Sequence, residues 1–269
     1  MSLGHLRSKE RGASQSWSQR LGMAQLAEHS ISEHWFLREC GDRHWTLLAE
    51  AMGLSTPHFT SEDGRPLYAA FCATELELLP CDVSDLGKDS DGHSTLYGVS
   101  KTRTASEHIL SVSGRHVARL RMISAFVGHD DSKGNAKIAR KTPSANVRLP
   151  EVRGDLSEFC KNALASARKV RAETRKSPAS LRVTPCPSTD FNAVGLMYFA
   201  NYSELANRAA WEVLGASSLP RKRSIIYLGN VDRREPIDVR FDELPEGRRK
   251  WTFFRSDQTI LAQGINDYL

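Results

Sequence analysis

The run Asp190-Phe191-Asn192-Ala193-Val194-Gly195-Leu196-Met197-Tyr198-Phe199-Ala200-Asn201-Tyr202 gathers residue types that can do chemistry. An acid and an amide sit close together, a glycine follows, and an aromatic cluster leads into an amphipathic stretch. Gly195 permits a tight backbone approach, and the N–H groups opening the following helix can donate to a carbonyl oxygen. Asn192 can neither activate water nor form an acyl anhydride, but its amide can donate to an ester-type oxygen or a carboxylate. Asn is also favoured as a cap, so capping and ligand binding are both open for it. Tyr198, Phe199 and Tyr202 either line a pocket or pack in the core.

Fewer signals lie elsewhere. Tyr68, in Pro66-Leu67-Tyr68-Ala69-Ala70-Phe71, sits in a strand-like run where a tyrosine packs or, with donors or cations nearby, becomes a nucleophile. His34 and His44 are ten positions apart, not the one-face spacing of helical metal ligands, so no metal site is expected with Asp42. His44 falls on an apolar stripe, as a buried histidine or a pocket-facing proton donor. Glu33 begins a helix, where negative charge is favoured, or orients a neighbour. Arg221, Lys222 and Arg223 are either solvated or contacts for phosphate groups, with Arg223 the candidate substrate contact.

Two helices must position these groups. Ser30 to Met52 carries Leu37, Cys40, Leu47, Leu48 and Ala51 near helical spacing, and Gly53 stops it. Asn201 to Leu214 carries Tyr202, Leu205, Ala206, Ala209, Ala210 and Val213 on one stripe before Gly215. Aligning Leu37 with Tyr202 also pairs Glu39 with Glu204 and Arg43 with Arg208, a weak internal duplication. Strand-like segments follow each helix: Pro66 to Leu79, Ser94 to Thr102, Glu107 to Val112 and Val117 to Val127, then Ser224 to Val231, Ile237 to Leu244, Arg249 to Arg255 and Thr259 to Ile265. A long helix wrapped by a curved antiparallel sheet, twice over, is an α+β double hot-dog. Residues 1–20 are expected to form a disordered polar leader, 21–128 the first hot-dog, 129–187 a linker with a basic helix, and 188–269 the second hot-dog.

Composition narrows the partners. With 269 residues, 40% hydrophobic and 26% charged, the chain reads as a soluble globular protein. No apolar run reaches the length of about 18 that a membrane span needs, and the first twenty residues lack a secretory signal, so the cytoplasm is the default compartment. The five cysteines include no CxxC pair, which disfavours a disulfide framework or zinc site. A net charge of +5 comes with no nucleic-acid fingerprint; a surface that meets phosphates or an acidic carrier protein fits equally well, and such basic runs are most commonly a solvated face or a loop.

The segment from Asp190 to Tyr202 resembles the helix-entry motif of 4-hydroxybenzoyl-CoA-type hot-dog thioesterases. That motif reads Asp-x-Asp, a small residue, one or two Gly, two apolar residues and Tyr-x-x-Asn-Tyr. Its second acid, base or nucleophile in those enzymes, falls on Asn192 here. From about Gly22 onward the chain is more similar to the bifunctional methylmalonyl-CoA acyltransferase/decarboxylases of polyketide biosynthesis (leinamycin-pathway type). The resemblance rests on Gly22-Met23-Ala24-Gln25-Leu26, Ser32-Glu33-His34-Trp35, Glu39-Cys40-Gly41-Asp42-Arg43-His44-Trp45, Gly64 to Phe71, Arg119 to Ser124, Asp190 to Tyr202 and Gly229-Asn230-Val231-Asp232.

The resemblance implies an enzyme of secondary metabolism that decarboxylates methylmalonyl-CoA or a related acyl-CoA and loads the acyl group on an acyl carrier protein. It implies Tyr68 as acyl acceptor and Asn192 with Gly195 as holders of the enolate; His34, Tyr198 and Arg223 are the further substrate contacts. No cofactor is implied beyond coenzyme A in the substrate, and the chain would act as monomer or homodimer. A thioesterase, a dehydratase pairing His34 or His44 with Asp190, or a non-catalytic acyl-carrier-binding module are the rivals.

Overall fold

Ser32 opens the first long helix by accepting the Trp35 N–H on its hydroxyl at 3.4 Å, with Glu33 placing negative charge in the first turn. This helix, α1 (Glu33–Ala51), ends just before Gly53, which takes a left-handed φ of 70°. The computed structural model describes residues 13–129, 134–145, 149–173 and 179–268. These divide into two compact units, the described residues up to Ala70 with those of Leu79–Gly128 and Arg140–Cys160, and Phe71–Leu78 with the described residues of His129–Ala139 and from Lys161 onward.

In the first unit α1 is accompanied by β1 (Ser14–Arg20), β2 (Phe59–Thr60), β3 (Pro66–Leu78), β4 (Asp89–Ser100), β5 (Arg103–Val112), β6 (Arg115–Gly128) and β7 (Ala139–Arg140). Only Pro66–Ala70 of β3 and Arg140 of β7 belong to this unit. The main strands lie in the order β1-β4-β5-β6-β3, antiparallel where the registers are resolved. Alternation along β3 buries Leu67 and Ala69 in one apolar cluster with Leu47 and Leu48 of α1, Phe59, Leu96 and Phe126.

Ser14–Arg20, read from sequence as leader, are an ordered edge strand paired with β4 from Ser14↔Thr95 to Arg20↔Asp89. Its inward residues are Gln15, Trp17 and Gln19, a set with one apolar member that carries little hydrophobic signal. Trp17 supplies the packing. Its indole lies so flat on Gly92 of β4 that a Cβ there would sit 2.0 Å from the ring.

The helix α2 (Gly154–Ala172), expected as Leu156 to Glu173, begins in the first unit and ends in the second. The second unit repeats the plan with β8 (Leu181–Val183), α3 (Phe199–Leu214), β9 (Lys222–Tyr227), β10 (Ile237–Leu244), β11 (Arg248–Phe254) and β12 (Ile260–Asp267). Its strands run β8-β10-β11-β12-β9, and Phe71–Leu78 of β3 pairs with β9 at Ala73↔Ile226 to Glu77↔Lys222. Edge strand, helix and meander therefore follow one another in the same order in both units. The duplicated charges recur as well. Glu39 pairs with Arg43 at 2.5 Å, and Glu204 pairs with Arg208 one turn along α3.

Candidate functional site

Helix α3 has no side-chain cap: Tyr198 occupies the N-cap position and its side chain makes no capping hydrogen bond. The first N–H groups of a helix lack intrahelical acceptors, so an uncapped start remains polar. The loop ahead of it is held from within. Asp190 is buried, and its carboxylate accepts the Cys186 N–H at 2.6 Å, while its carbonyl accepts the Tyr198 N–H at 2.8 Å. Asn201 Nδ2 donates to Thr189 O at 2.9 Å.

Asn192 organises the tip. Its Oδ1 accepts from Val194 N at 3.2 Å and Leu196 N at 3.0 Å, and its backbone exchanges N–H to Leu196 O (2.8 Å) and C=O from Gly195 N (2.9 Å). Because the oxygen takes both backbone donors, the amide cannot be flipped. Nδ2 is the end turned away from the turn, with two N–H donors to offer. The capping and ligand-binding readings of Asn192 are therefore served by different atoms of one group.

Two residues brace this turn from outside. Asn230 accepts Met197 N on Oδ1 at 2.9 Å and donates Nδ2 to Met197 O at 3.1 Å. Buried Asn135 donates Nδ2 to Gly195 O and Val231 O, both at 2.7 Å, and its N–H to Asp232 Oδ1 at 2.9 Å. Asn135 was not singled out by sequence, because it lies in a Gly- and Asp-rich stretch that reads only as loop. Asn230 stood in the segment Gly229 to Asp232 without a role.

The structure sorts the expected site residues. Asn192, Gly195 and Tyr198 share one loop of the second unit; Tyr68 and His34 belong to the first. Tyr68 is half-buried on the face of β3 opposite Leu67 and Ala69, away from α1, and His34 is half-buried in the first turn of α1. Gly195 has a φ of 78°, which favours glycine, yet its N–H is already given to Asn192 O. The donor expected from Gly195 is thus already engaged within the turn. Phe199 and Tyr202 are core residues: Phe199 packs on Phe71 at 4.2 Å, and Tyr202 donates its hydroxyl to Gly229 O at 3.0 Å, burial pushing its phenol well up. Tyr198 meets Phe199 edge-on at 4.9 Å.

Arg223 requires correction. It is 2% exposed, with Nη1 donating to Ser203 O at 3.2 Å and Nη2 to Asn207 Oδ1 at 2.7 Å, so its guanidinium ties β9 to α3. It is not a surface phosphate contact. The exposed arginine at the turn is Arg233, whose Nη2 lies 3.8 Å from where a Gly195 Cβ would stand.

His44 is neither exposed nor singly bonded. Nδ1 lies 2.7 Å from Ser106 Oγ and Nε2 2.8 Å from Ser124 Oγ; Ser106 continues to His108 Nε2 at 2.8 Å, and His108 Nδ1 to Ser94 Oγ at 2.8 Å. Ser94 also receives the Trp17 indole N–H at 3.2 Å, and Ser124 meets Thr104 Oγ1 at 2.9 Å. The indole can only donate, so it occupies one lone pair of Ser94 and leaves that hydroxyl's proton and second lone pair for its other contacts, His108 Nδ1 among them. Both rings are neutral, so each donates from one nitrogen and accepts on the other. Burial lowers the His44 pKa to about 3, and burial, with His44 and Arg43 nearby, lowers that of His108.

Among the described residues, no cluster of His, Cys, Asp and Glu fits a metal ion, and no helix is long and apolar enough to cross a membrane. No family model matches the chain, and no curated protein sequence does. Solved structures are similar over nearly the whole length. An acyl-ACP thioesterase from Bacteroides thetaiotaomicron has 10% identity and a TM-score of 0.68, covering 96% of this chain and 98% of its own. A 12:0-ACP thioesterase from Umbellularia californica has 9% identity and a TM-score of 0.64, with the same coverages. The fold is a double hot-dog. A MaoC-like dehydratase from Phytophthora capsici is also similar, at 11% identity and a TM-score of 0.50, covering 97% of each chain. The double hot-dog thus frames the Asn192 turn at the entry to the second of its two long helices.

Proposed function

We propose that this chain is an acyl-thioester enzyme that holds a thioester oxygen, or the enolate formed from it, on the Asn192 amide. One observation carries the reading: Asn192 Oδ1 is consumed by Val194 N and Leu196 N, which leaves a fixed donor end at an uncapped helix start. The similar structures are named for acyl-ACP substrates, which favours an acyl group on a carrier protein or coenzyme A.

The finer reading follows from what the turn lacks. An amide stands where a thioesterase of the resembling type has an acid, and the Asp190 carboxylate is engaged by Cys186 N. Decarboxylation needs no base. The bond between Cα and the carboxylate breaks, its electron pair forms the enolate, CO2 leaves, and a solvent proton returns to Cα. The acyl group then passes from the sulfur of coenzyme A to the carrier's thiol, whose proton goes to the departing thiolate. Methylmalonyl-CoA or a related acyl-CoA is the substrate and an acyl carrier protein the acceptor, in secondary metabolism. Tyr68, as an intermediate acyl acceptor, would split the transfer into two steps.

Incubation with methylmalonyl-CoA and a phosphopantetheinylated carrier, read by mass spectrometry, should give propionyl-carrier. Free propionate or methylmalonate would establish hydrolysis instead, and unchanged substrate would leave only a binding module. Asn192→Ala should lower the decarboxylation rate by about a hundredfold, the usual loss for one oxyanion donor. Tyr68→Phe should stop loading but spare decarboxylation; full loading would remove Tyr68 from the path.

A further inference from the structure

We infer that Asn135 and Asn230 are positioning residues that set the direction of the Asn192 amide by holding two consecutive peptide planes. The inference rests on Asn192 being the working donor, as proposed above, but its first test is independent of any activity. A peptide unit is planar and trans, so its C=O and N–H point to opposite sides of one rigid plate. The plate between Gly195 and Leu196 has its C=O held by Asn135 Nδ2 at 2.7 Å and its N–H held by Asn192 Oδ1 at 3.0 Å. The next plate, between Leu196 and Met197, accepts the Asn192 N–H on Leu196 O at 2.8 Å and gives its own N–H to Asn230 Oδ1 at 2.9 Å. Each plate joins an outer asparagine to one group of Asn192. The side chain answers to Asn135 and the backbone to Asn230.

Asn135 has no freedom to do otherwise. Its Nδ2 meets two carbonyls, at Gly195 and Val231, and only an N–H₂ group satisfies both. Its Oδ1 is therefore the atom 3.1 Å from His129 Nε2, and that nitrogen must carry the proton. Asn230 is less constrained, since it also accepts Val231 N on the same Oδ1 at 3.0 Å. An aspartate at position 230 keeps both accepted bonds and loses one donated bond. An aspartate at position 135 sets a carboxylate against two carbonyl oxygens.

The test compares Asn135→Asp with Asn230→Asp in the full chain. Amide hydrogen exchange at Val194 and Leu196 should quicken at least tenfold in N135D and less than threefold in N230D, with amides in the middle of α3 unchanged. Equal exchange at Leu196 in N135D and the unsubstituted protein would overturn the inference, whatever the activity. In the methylmalonyl-CoA assay, N135D should lower kcat about tenfold or more with little change in KM, and should add nothing further in an Asn192→Ala background. A further loss there in proportion to unfolding would mark Asn135 as structural only. Should the unsubstituted protein turn over no thioester, the proposed function falls and the exchange result still decides the positioning role. Asn230→Ala, which loses all three side-chain bonds, should quicken exchange at Met197 and Asn192, the amides joined by the second plate, by about tenfold; if it does not, the second plate is not held as argued.

Discussion

The interiors beneath the two long helices differ more than their shared plan suggests. Under α1 lies a chain of hydroxyls and neutral imidazoles joined by hydrogen bonds. Under α3 lie aromatic rings, with Tyr202 5.3 Å from Tyr227 and 6.1 Å from Phe253, and Trp251 4.7 Å from Phe253. The alignment that pairs Leu37 with Tyr202 sets His44 opposite Ala209, and both are fully buried. The helix starts differ too: α1 is capped by Ser32, whereas α3 is left open behind the Asn192 turn. The first unit thus spends its polar groups on fixing one helix register, a role that buried polar networks can serve. The second packs by area and shape, and leaves polar donors at the helix entry for other use.

Acid should separate the two interiors most. His44 and His108 have folded pKa values below the unfolded value of about 6.5, so the unfolded chain binds more protons as the pH falls. Their contribution is fully present above pH 6.5 and drains as pH drops toward 3, by about 5 kcal/mol for His44 alone. Urea unfolding between pH 7 and 4, followed at Trp17 and Trp35 for the first unit and at Trp251 for the second, checks this. A first unit as insensitive as the second would contradict the neutral chain. At neutral pH, His44→Ala should cost about 4 kcal/mol, from the cavity and two orphaned hydroxyls. Ala209→Gly, at the matching place on α3, should cost about 2 kcal/mol, from helix propensity and one lost buried methyl. Comparable losses at the two positions would mean that the polar chain is not what holds α1. Ser32→Ala should remove about 1 kcal/mol from the first unit, measured by thermal melting. Tyr202→Phe should cost the second unit a similar or smaller amount, since only the bond to Gly229 O is lost and the ring contacts stay.

Periodicity made most of this frame legible. Both long helices and eight of the strands follow from apolar spacing and glycine stops, with boundaries displaced by a few residues. β1 escaped because its inward set is Gln15, Trp17 and Gln19, and the glycine that receives Trp17 lies far along the chain at Gly92. Arg223 was misread as part of a solvated basic run, although strand alternation with Ile225 and Tyr227 already placed it on the inner face. The Asn192 turn was visible as a motif. Its braces were not, since Asn135 is distant in sequence and acts through backbone carbonyls, which leave no trace in residue type. The hydroxyl chain was equally hidden: Ser94, Ser106 and Ser124 look like ordinary strand serines until β4, β5 and β6 are set side by side.

Trp17 has a consequence beyond the edge strand it anchors. As a group that can only donate, the indole takes one lone pair of Ser94 and so biases the sense of a series that reaches through five side chains to Thr104. Replacing it with phenylalanine would leave the backbone in place and free that lone pair, shifting the balance between the two proton positions on each imidazole. A single N–H at the rim of the first unit thereby weighs on two mirror-sense arrangements of its interior, and nitrogen chemical shifts of His44 and His108 would read out the balance.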